Sequence, residues 1–405
     1  MASFTITGVN ENNFLNIYNN NVVNIYFENI VPEVLKYLEI TITRGVLSAT
    51  FQVTYFPDVA GEYNFKFDLK ESFKSLMADS LNNDSKSPEE QVGFDYDLLN
   101  EYVVRYDFIY QEPEDDVFYN VSYKAFKSVE QIGETIIKPI TNPYLLNQGN
   151  ITIFKGYPFD FSLYTDTSIA LTNENTGAFI LYGGVTTGVN RVYLSRGEYL
   201  LDDVDERVNF INRVIADSGT FITNPCYNPH LSPILRTGYN DLRINLASNT
   251  PLNLKVRLID ACKGVYLKWF NEDGSWSYWL FNNIHKDKIS SRVIDVYNTD
   301  FESIEQTYFP SLITGKEAKN TLDLTYNALD DHEYNQVKSI ITSPRVELFI
   351  GNINDDYSLS VANGGADYTK AWTSVRVLNG TITKSNKIGF NDIKISIDKK
   401  KYTQS

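Results

Sequence analysis

A mainly β fold is what this sequence predicts, organised as several immunoglobulin/fibronectin-like β-sandwich modules with a few inserted helices. Three observations carry the prediction. Aromatic residues make up 14% of the chain, with Tyr 28 and Phe 24, and such side chains fit pleated, half-buried surfaces. Short runs of β-branched and aromatic residues recur between turn signals along the whole length. The chain has 405 residues, more than one ordinary core organises, so roughly two to four domains are expected.

The first third reads as strands with one helix. Segments 22–30, 38–43 and 46–56 are β-rich, and Arg44-Gly45 supplies a tight turn between the second and third. Leu38, Ile40 and Ile42 alternate with Glu39, Thr41 and Thr43, the pattern of a strand with one wet face. After a turn at Pro57-Asp58 and Gly61 comes a strand at 63–67. A helix is then expected from an Asp68 N-cap, with Glu71 completing a capping box and the end near Leu81. Leu69, Phe73, Leu76 and Met77 would form its apolar face. The polar, Pro-bearing run 82–93 reads as an exposed loop, and 102–110 with 117–126 as a second hairpin. Residues 1–138 are expected to form a first sandwich with the helix inserted.

Residues 139–260 are expected to form a β-rich middle domain. Strands are predicted at 151–155, 159–164, 168–172, 178–182, 241–246 and 252–259. Segment 204–216 fits strand or helix, and 224–232 is a Pro-broken loop. Residues 261–405 are expected to form a third domain, opened by the most distinctive stretch of the chain. There, from Gly264 to Phe281, three of the chain's four Trp and two Tyr surround Asn271-Glu272-Asp273-Gly274. This reads as a β-hairpin in which Gly274 takes a positive φ. A helix is expected over 325–341, with acids at its first turn and Pro344 beyond its end, and strands at 346–350, 357–361, 374–378 and 393–397.

The chemistry-bearing residues form no recognisable catalytic pattern. Neither His230, His285 nor His332 stands at metal-motif spacing from another ligand, and no phosphate-binding glycine loop is present. Asp217-Ser218-Gly219 reads as a turn, and the acidic run 202–206 as a solvated loop. Cys226 and Cys262 are read as two buried thiols, with a bridge between them left open. No enzyme activity, cofactor or metal is therefore expected. A net charge of −15 argues against binding nucleic acid, and no window reaches the ~20 apolar residues of a membrane helix. The opening MASFTITGVNENNF lacks the features of a secretory signal, so cytosolic synthesis is expected. Trp269, Trp276, Tyr278 and Trp279 are the candidate interaction residues. Such aromatic area marks either core or inter-domain packing, or a contact surface for a subunit or a sugar.

Three segments together resemble a known class. CKGVYLKWFNEDGSWSYWLF from Cys262 runs strand, turn, Trp-rich strand. NTLDLTYNALDDHEYNQVKSIITSPRVELFI from Asn320 runs strand, acidic helix, Ser-Pro, strand. VTYFPDVAGEYNFKFDLKESFKSLM from Val53 runs strand, glycine turn, strand, capped helix. The combination resembles tail-associated structural proteins of phages that infect Bacteroidota, including the crAss-like phages. The resemblance implies a virion part assembled in the host cytoplasm: a ring, hub, adaptor or fibre-attachment subunit. It implies other tail proteins as partners and a homo-oligomeric ring. Two alternatives stand beside it: a carbohydrate-binding host-recognition module, which needs Trp276 or Trp279 exposed, and a polysaccharide hydrolase, which needs two facing carboxylates.

Overall fold

The computed structural model describes residues 3–28, 35–53, 56–57, 63–77, 92–94, 99–110, 117–129, 144–145, 150–154, 157, 159–165, 169–175, 179–183, 188–194, 236–246, 250–261, 264–282, 284–298, 311–350, 372–386 and 391–399. The expected features at 202–206, 204–216, 217–219, 224–232 and 357–361, with Cys226, Cys262 and His230, lie outside them. The described residues form a mainly β structure of several sheets, with α-helix confined to two short elements.

The first ten strands are β1 (Ser3–Thr7), β2 (Leu15–Asn16), β3 (Val22–Glu28), β4 (Leu35–Arg44), β5 (Leu47–Val53), β6 (Phe56–Pro57), β7 (Tyr63–Asp68), β8 (Val92–Phe94), β9 (Leu99–Tyr110) and β10 (Val117–Phe126). Helix α1 (Lys70–Leu76) follows β7. Two sheets, ordered β1-β3-β7-β6 and β2-β10-β9-β4-β5, enclose one core. The alternation in β4 has its physical counterpart. Leu38, Ile40 and Ile42 are fully buried, while on the other face Glu39 accepts from Gln52 and Thr41 meets the Thr50 hydroxyl.

Helix α1 is shorter than its periodicity predicts. Asp68 does not make the expected N-cap bond; its carboxylate accepts from the Lys70 and Asn21 amides, and Glu71 pairs with Lys74. Met77 is already extended at ψ 139°, so the helix stops after Leu76. Burial of Leu69, Phe73 and Leu76 still follows the predicted face. The end of the expected 82–93 loop is also different. Val92–Phe94 forms β8 and pairs not with its own module but with a strand about a hundred residues later, because an open sheet edge accepts any backbone that can present its amides.

The next strands are β11 (Tyr144–Leu145), β12 (Asn150–Phe154), β13 (Phe159–Thr165), β14 (Ile169–Asn173), β15 (Phe179–Gly183), β16 (Gly188–Leu194), β17 (Gly238–Leu246) and β18 (Leu252–Ile259). They form the sheets β11-β13-β16-β8 and β12-β18-β17-β14-β15, with β12 and β18 parallel.

The last third holds β19 (Val265–Phe270), β20 (Trp276–Phe281), β21 (Ile284–Asn298), β22 (Ser311–Leu329), β23 (Val346–Phe349), β24 (Trp372–Thr383) and β25 (Asn391–Asp398). Helix α2 (Asp331–Val337) continues into a 3-10 turn at Lys338–Ile341. The sheet order is β20-β19-β23-β24-β25-β22-β21. The expected helix over 325–341 is corrected in its first part. Thr325 and Tyr326 continue β22 and pair with Lys394 and Ile393, and Ala328 turns the chain at φ 63° before Asp330 caps α2. Pairing to β25 overrides the local pattern.

Strands β21 and β22 were not anticipated as a pair. They run antiparallel from Ile284↔Thr325 to Asn298↔Ser311, whereas β25 covers β22 only from Thr321 onward. Among the described residues the distal half is therefore a two-stranded ribbon standing beyond the sheet.

Among the described residues the buried apolar side chains form two cores. The first module has its own core. The stretches on either side of residue 260 share a single one, to which the first module adds Phe14 and Phe126.

Candidate functional site

The Trp hairpin sits where the modules meet. Its register pairs Leu267 with Trp279, Lys268 with Tyr278 and Phe270 with Trp276. Gly274 has φ 86°, the left-handed conformation that its turn demands. A Cβ there would stand 3.1 Å from the Lys127 carbonyl oxygen, so the turn lies against the end of the first module. The Val129 amide donates to the Glu272 carbonyl at 2.8 Å and ties the two together.

Both faces of the hairpin are covered. On one, Tyr266 and Tyr278 lie among Tyr157, Phe159, Phe349 and Trp372, with Tyr157 4.6 Å from Tyr266 between ring centroids. On the other, Trp279 meets Phe154 edge-on at 5.2 Å and Tyr326 at 5.1 Å, and the Trp269 indole donates to the Ser339 hydroxyl at 2.9 Å. The segment from Phe154 to Phe159 thus contributes rings to both faces of the hairpin. Gln336 completes the junction: its amide accepts from Thr152 N–H and donates to the Thr152 and Tyr278 carbonyls. One side chain thereby bridges β12 to β20, the edge strand of its sheet among the described residues.

Within this packing lies a buried ion pair. Lys268 Nζ is 3.1 Å from Glu347 and stands over the Trp276 and Trp372 rings at 4.8 and 4.5 Å. Arg345 also pairs with Glu347 and lies over Trp276. Burial pushes the Lys268 amine down to about 8; Glu347 opposes that shift, while Arg345 adds to it. Nearby, Arg257 binds the capping-box acids Glu333 at 2.9 Å and Asp330 at 3.4 Å. Burial raises the Glu333 carboxyl.

The structure brings the four candidate interaction residues together, in the interior. Trp269, Trp276, Tyr278 and Trp279 are 0%, 5%, 2% and 0% exposed. Their area packs against the chain's own modules, and neither Trp276 nor Trp279 presents the open ring that sugar stacking needs. Elsewhere, His285 is exposed at the start of β21, and His332 is exposed on α2 beside the Asn150 amide. Among the described residues no cluster of three His, Cys, Asp or Glu could hold a metal, and no helix is long and apolar enough to cross a membrane. A cleft of about 340 Å³ between the Ile6–Asn12 segment and Tyr119, Val121 and Tyr123 has Glu11 as the one carboxylate among the described residues that line it.

A group of exposed apolar side chains that sequence reading missed lies on the ribbon, beside others such as Phe118, Tyr239 and Ile350 elsewhere. Ile289, Ile294 and Tyr297 are 62%, 62% and 61% exposed, and Val293, Val296 and Ile313 are also open. No alternation marks them, because both faces of the ribbon are wet.

No family model and no curated protein matches this chain. Among solved structures, it is similar to the full extracellular region of plexin A4 at 8% identity and a TM-score of 0.18, covering 100% of this chain and 40% of that one. It is also similar to trypsin-activated alpha-2-macroglobulin from Escherichia coli at 8% identity and a TM-score of 0.20, covering 80% of this chain and 23% of that one. The chain thus spans less than half the length of either structure. Similarity of this degree carries no argument about fold or function.

Proposed function

We propose that this protein is a structural subunit of a phage tail, a ring, hub, adaptor or fibre-attachment part, and that it acts through protein–protein contacts and not through catalysis. Its sandwiches are immunoglobulin-like modules in this reading. Its partners are other tail proteins and further copies of itself, assembled in the host cytoplasm into the virion.

The observation that supports the reading is the distal ribbon. An isolated pair of strands is marginal in water, because it has no third strand or helix on which to bury a face. This one carries exposed Ile289, Ile294 and Tyr297 well outside either core. An element of that kind gains stability from a partner surface. The modules behind it are joined by shared core and backbone bonds, which suits a part that must transmit position.

The test is light scattering of the full chain over a wide concentration range, with negative-stain microscopy of the same samples. A discrete, closed assembly is expected. A chain that remains monomeric throughout would remove the self-assembling subunit.

A further inference from the structure

We infer that the cleft between the Ile6–Asn12 segment and β10 is a binding site for a small, uncharged saccharide. The site goes beyond the assembly reading above and does not depend on it.

The cleft arises because, among the described residues, the first sandwich is left open at one end. Tyr123, Val121 and Tyr119 share the core-facing side of β10, and their exposure climbs from 1% and 5% to 42% toward the start of the strand. Strand β1 stops at Thr7, and Gly8 turns the chain at φ 97°. A Cβ at Gly8 would stand 2.3 Å from the Val22 carbonyl oxygen, so only glycine makes this turn. Asn10 fixes the next turn. Its side-chain oxygen accepts from Asn12 N–H at 2.9 Å, and its carbonyl accepts from Asn13 N–H at 3.2 Å. Asn10, Glu11 and Asn12 are thereby held as one wall of a cleft whose other wall is β10.

The chemistry of the walls selects the ligand. Val121 and the Tyr123 ring make an apolar floor, since the Tyr123 phenol is engaged with the Tyr106 hydroxyl at 3.4 Å. Burial raises the Tyr123 phenol, Tyr106 opposes that shift, and the Glu11 carboxylate adds to it, which puts Glu11 within electrostatic reach of the floor. Tyr119 brings a partly open ring. Glu11, when ionised, only accepts hydrogen bonds. Asn10 has its oxygen engaged by Asn12 N–H, so its ready group is the donating NH₂. An aromatic face beside adjacent donors and acceptors matches a pyranose, which has one C–H-rich face and neighbouring hydroxyls that each donate and accept.

Other ligand classes fit less well. An anion meets Glu11 with no Lys, Arg or His among the described residues that line the cleft. A cation satisfies Glu11 but leaves the amide donors of Asn10 and Asn12 without acceptors. The volume of about 340 Å³ lies at the low end of the ~300–1,000 Å³ of small-molecule sites, which suits a mono- or disaccharide.

The test is saturation-transfer NMR of glucose, galactose, mannose and N-acetylglucosamine, each titrated with the full chain. At least one of the four should bind. Glu11→Gln keeps the shape of the wall and should weaken that sugar about tenfold, through loss of a charge-assisted hydrogen bond. Tyr119→Ala should weaken it by a similar factor, while Tyr119→Phe, which keeps the ring, should stay within about twofold of wild type. Tyr239→Ala, at an exposed ring on β17, should change nothing. Glucuronate should bind less tightly than glucose, because its carboxylate meets Glu11. An unaltered circular dichroism transition shows that each variant folds. No transfer to any of the four sugars overturns the site. Binding that survives both Glu11→Gln and Tyr119→Ala, or that is lost in Tyr239→Ala, lies elsewhere and overturns the cleft. Tetramethylammonium bound in place of the sugars, and lost in Glu11→Gln, overturns the ligand class. The oligomeric state read by light scattering is separate from all of these results, so the cleft and the tail subunit fail independently.

Discussion

Removing the Gln336 amide strips hydrogen-bond partners from Thr152 N–H, the Thr152 carbonyl and the Tyr278 carbonyl at once. Buried groups left without partners cost about 1–3 kcal/mol each, so Gln336→Ala is expected to lower the urea midpoint more than a surface change of equal size. The Lys268 pair gives an ordered prediction. Glu347→Leu leaves the buried Lys268 cation without its counter-ion and is expected to cost about 3–5 kcal/mol. Lys268→Met costs less, because Glu347 keeps Arg345 as its partner. Chemical denaturation of the two variants side by side checks the order. The same lysine sets a pH dependence. Its folded pKa of about 8 lies below the usual 10.5, so between those values the unfolded chain holds a proton that the folded chain has released. Its contribution to stability therefore rises with pH across that window. Burial raises the Tyr102 phenol, so its contribution is complete below about pH 10 and is lost as pH climbs through the folded value. Urea midpoints from pH 8 to 10 should show a rise that Lys268→Met abolishes.

At the level of elements, the capping box of α2 joins a helix end to β18 through Arg257. Asp330→Ala is expected to cost about 1 kcal/mol for the lost cap, measured as a shift in the thermal midpoint. How much of this was legible in the sequence depended on burial. Strands with one wet face, such as β4, announce themselves by alternation, and the Trp hairpin did so by its aromatic density around Asn271–Gly274. The ribbon was silent, since Ile289, Ser291 and Val293 on one side face water just as Ser290 and Arg292 do on the other. The strand at Thr325–Leu329 was read as helix because the acids beyond it genuinely begin one; its β25 partner lies far downstream and leaves no local mark. Of the candidate site, the four aromatics were visible as interaction candidates, with core packing and a contact surface both open. Their partners Phe154, Tyr157, Glu347 and Gln336 were not, because each comes from a distant segment with no motif of its own.

At the scale of the whole molecule, two cores imply two responses to denaturant. The chain has four Trp, and Trp269, Trp276, Trp279 and Trp372 all lie in or against the second core. Tryptophan emission therefore reports that core alone, whereas far-ultraviolet circular dichroism reports both. The two unfolding curves are expected to separate. Phe73→Ala, which removes the ring stacked on Tyr102 at 4.2 Å, should cost about 3–5 kcal/mol in the first core and move the dichroism curve while leaving the emission curve in place. Coincident curves that shift together would mean that Phe14, Phe126 and the Val129–Glu272 bond couple the modules into one transition. The parallel pairing of β12 with β18 has a consequence for how the chain is made. Strand β12 leaves the ribosome about a hundred residues before Lys255–Ile259, its partner, has been translated. At about 5–20 residues per second, Ile151, Ile153 and Phe154 wait roughly 5–20 seconds without the strand that will cover them. During that interval the nascent chain is a substrate for holding chaperones, and the yield of soluble protein should depend on translation speed through codons 155–255 more than through any other part of the message.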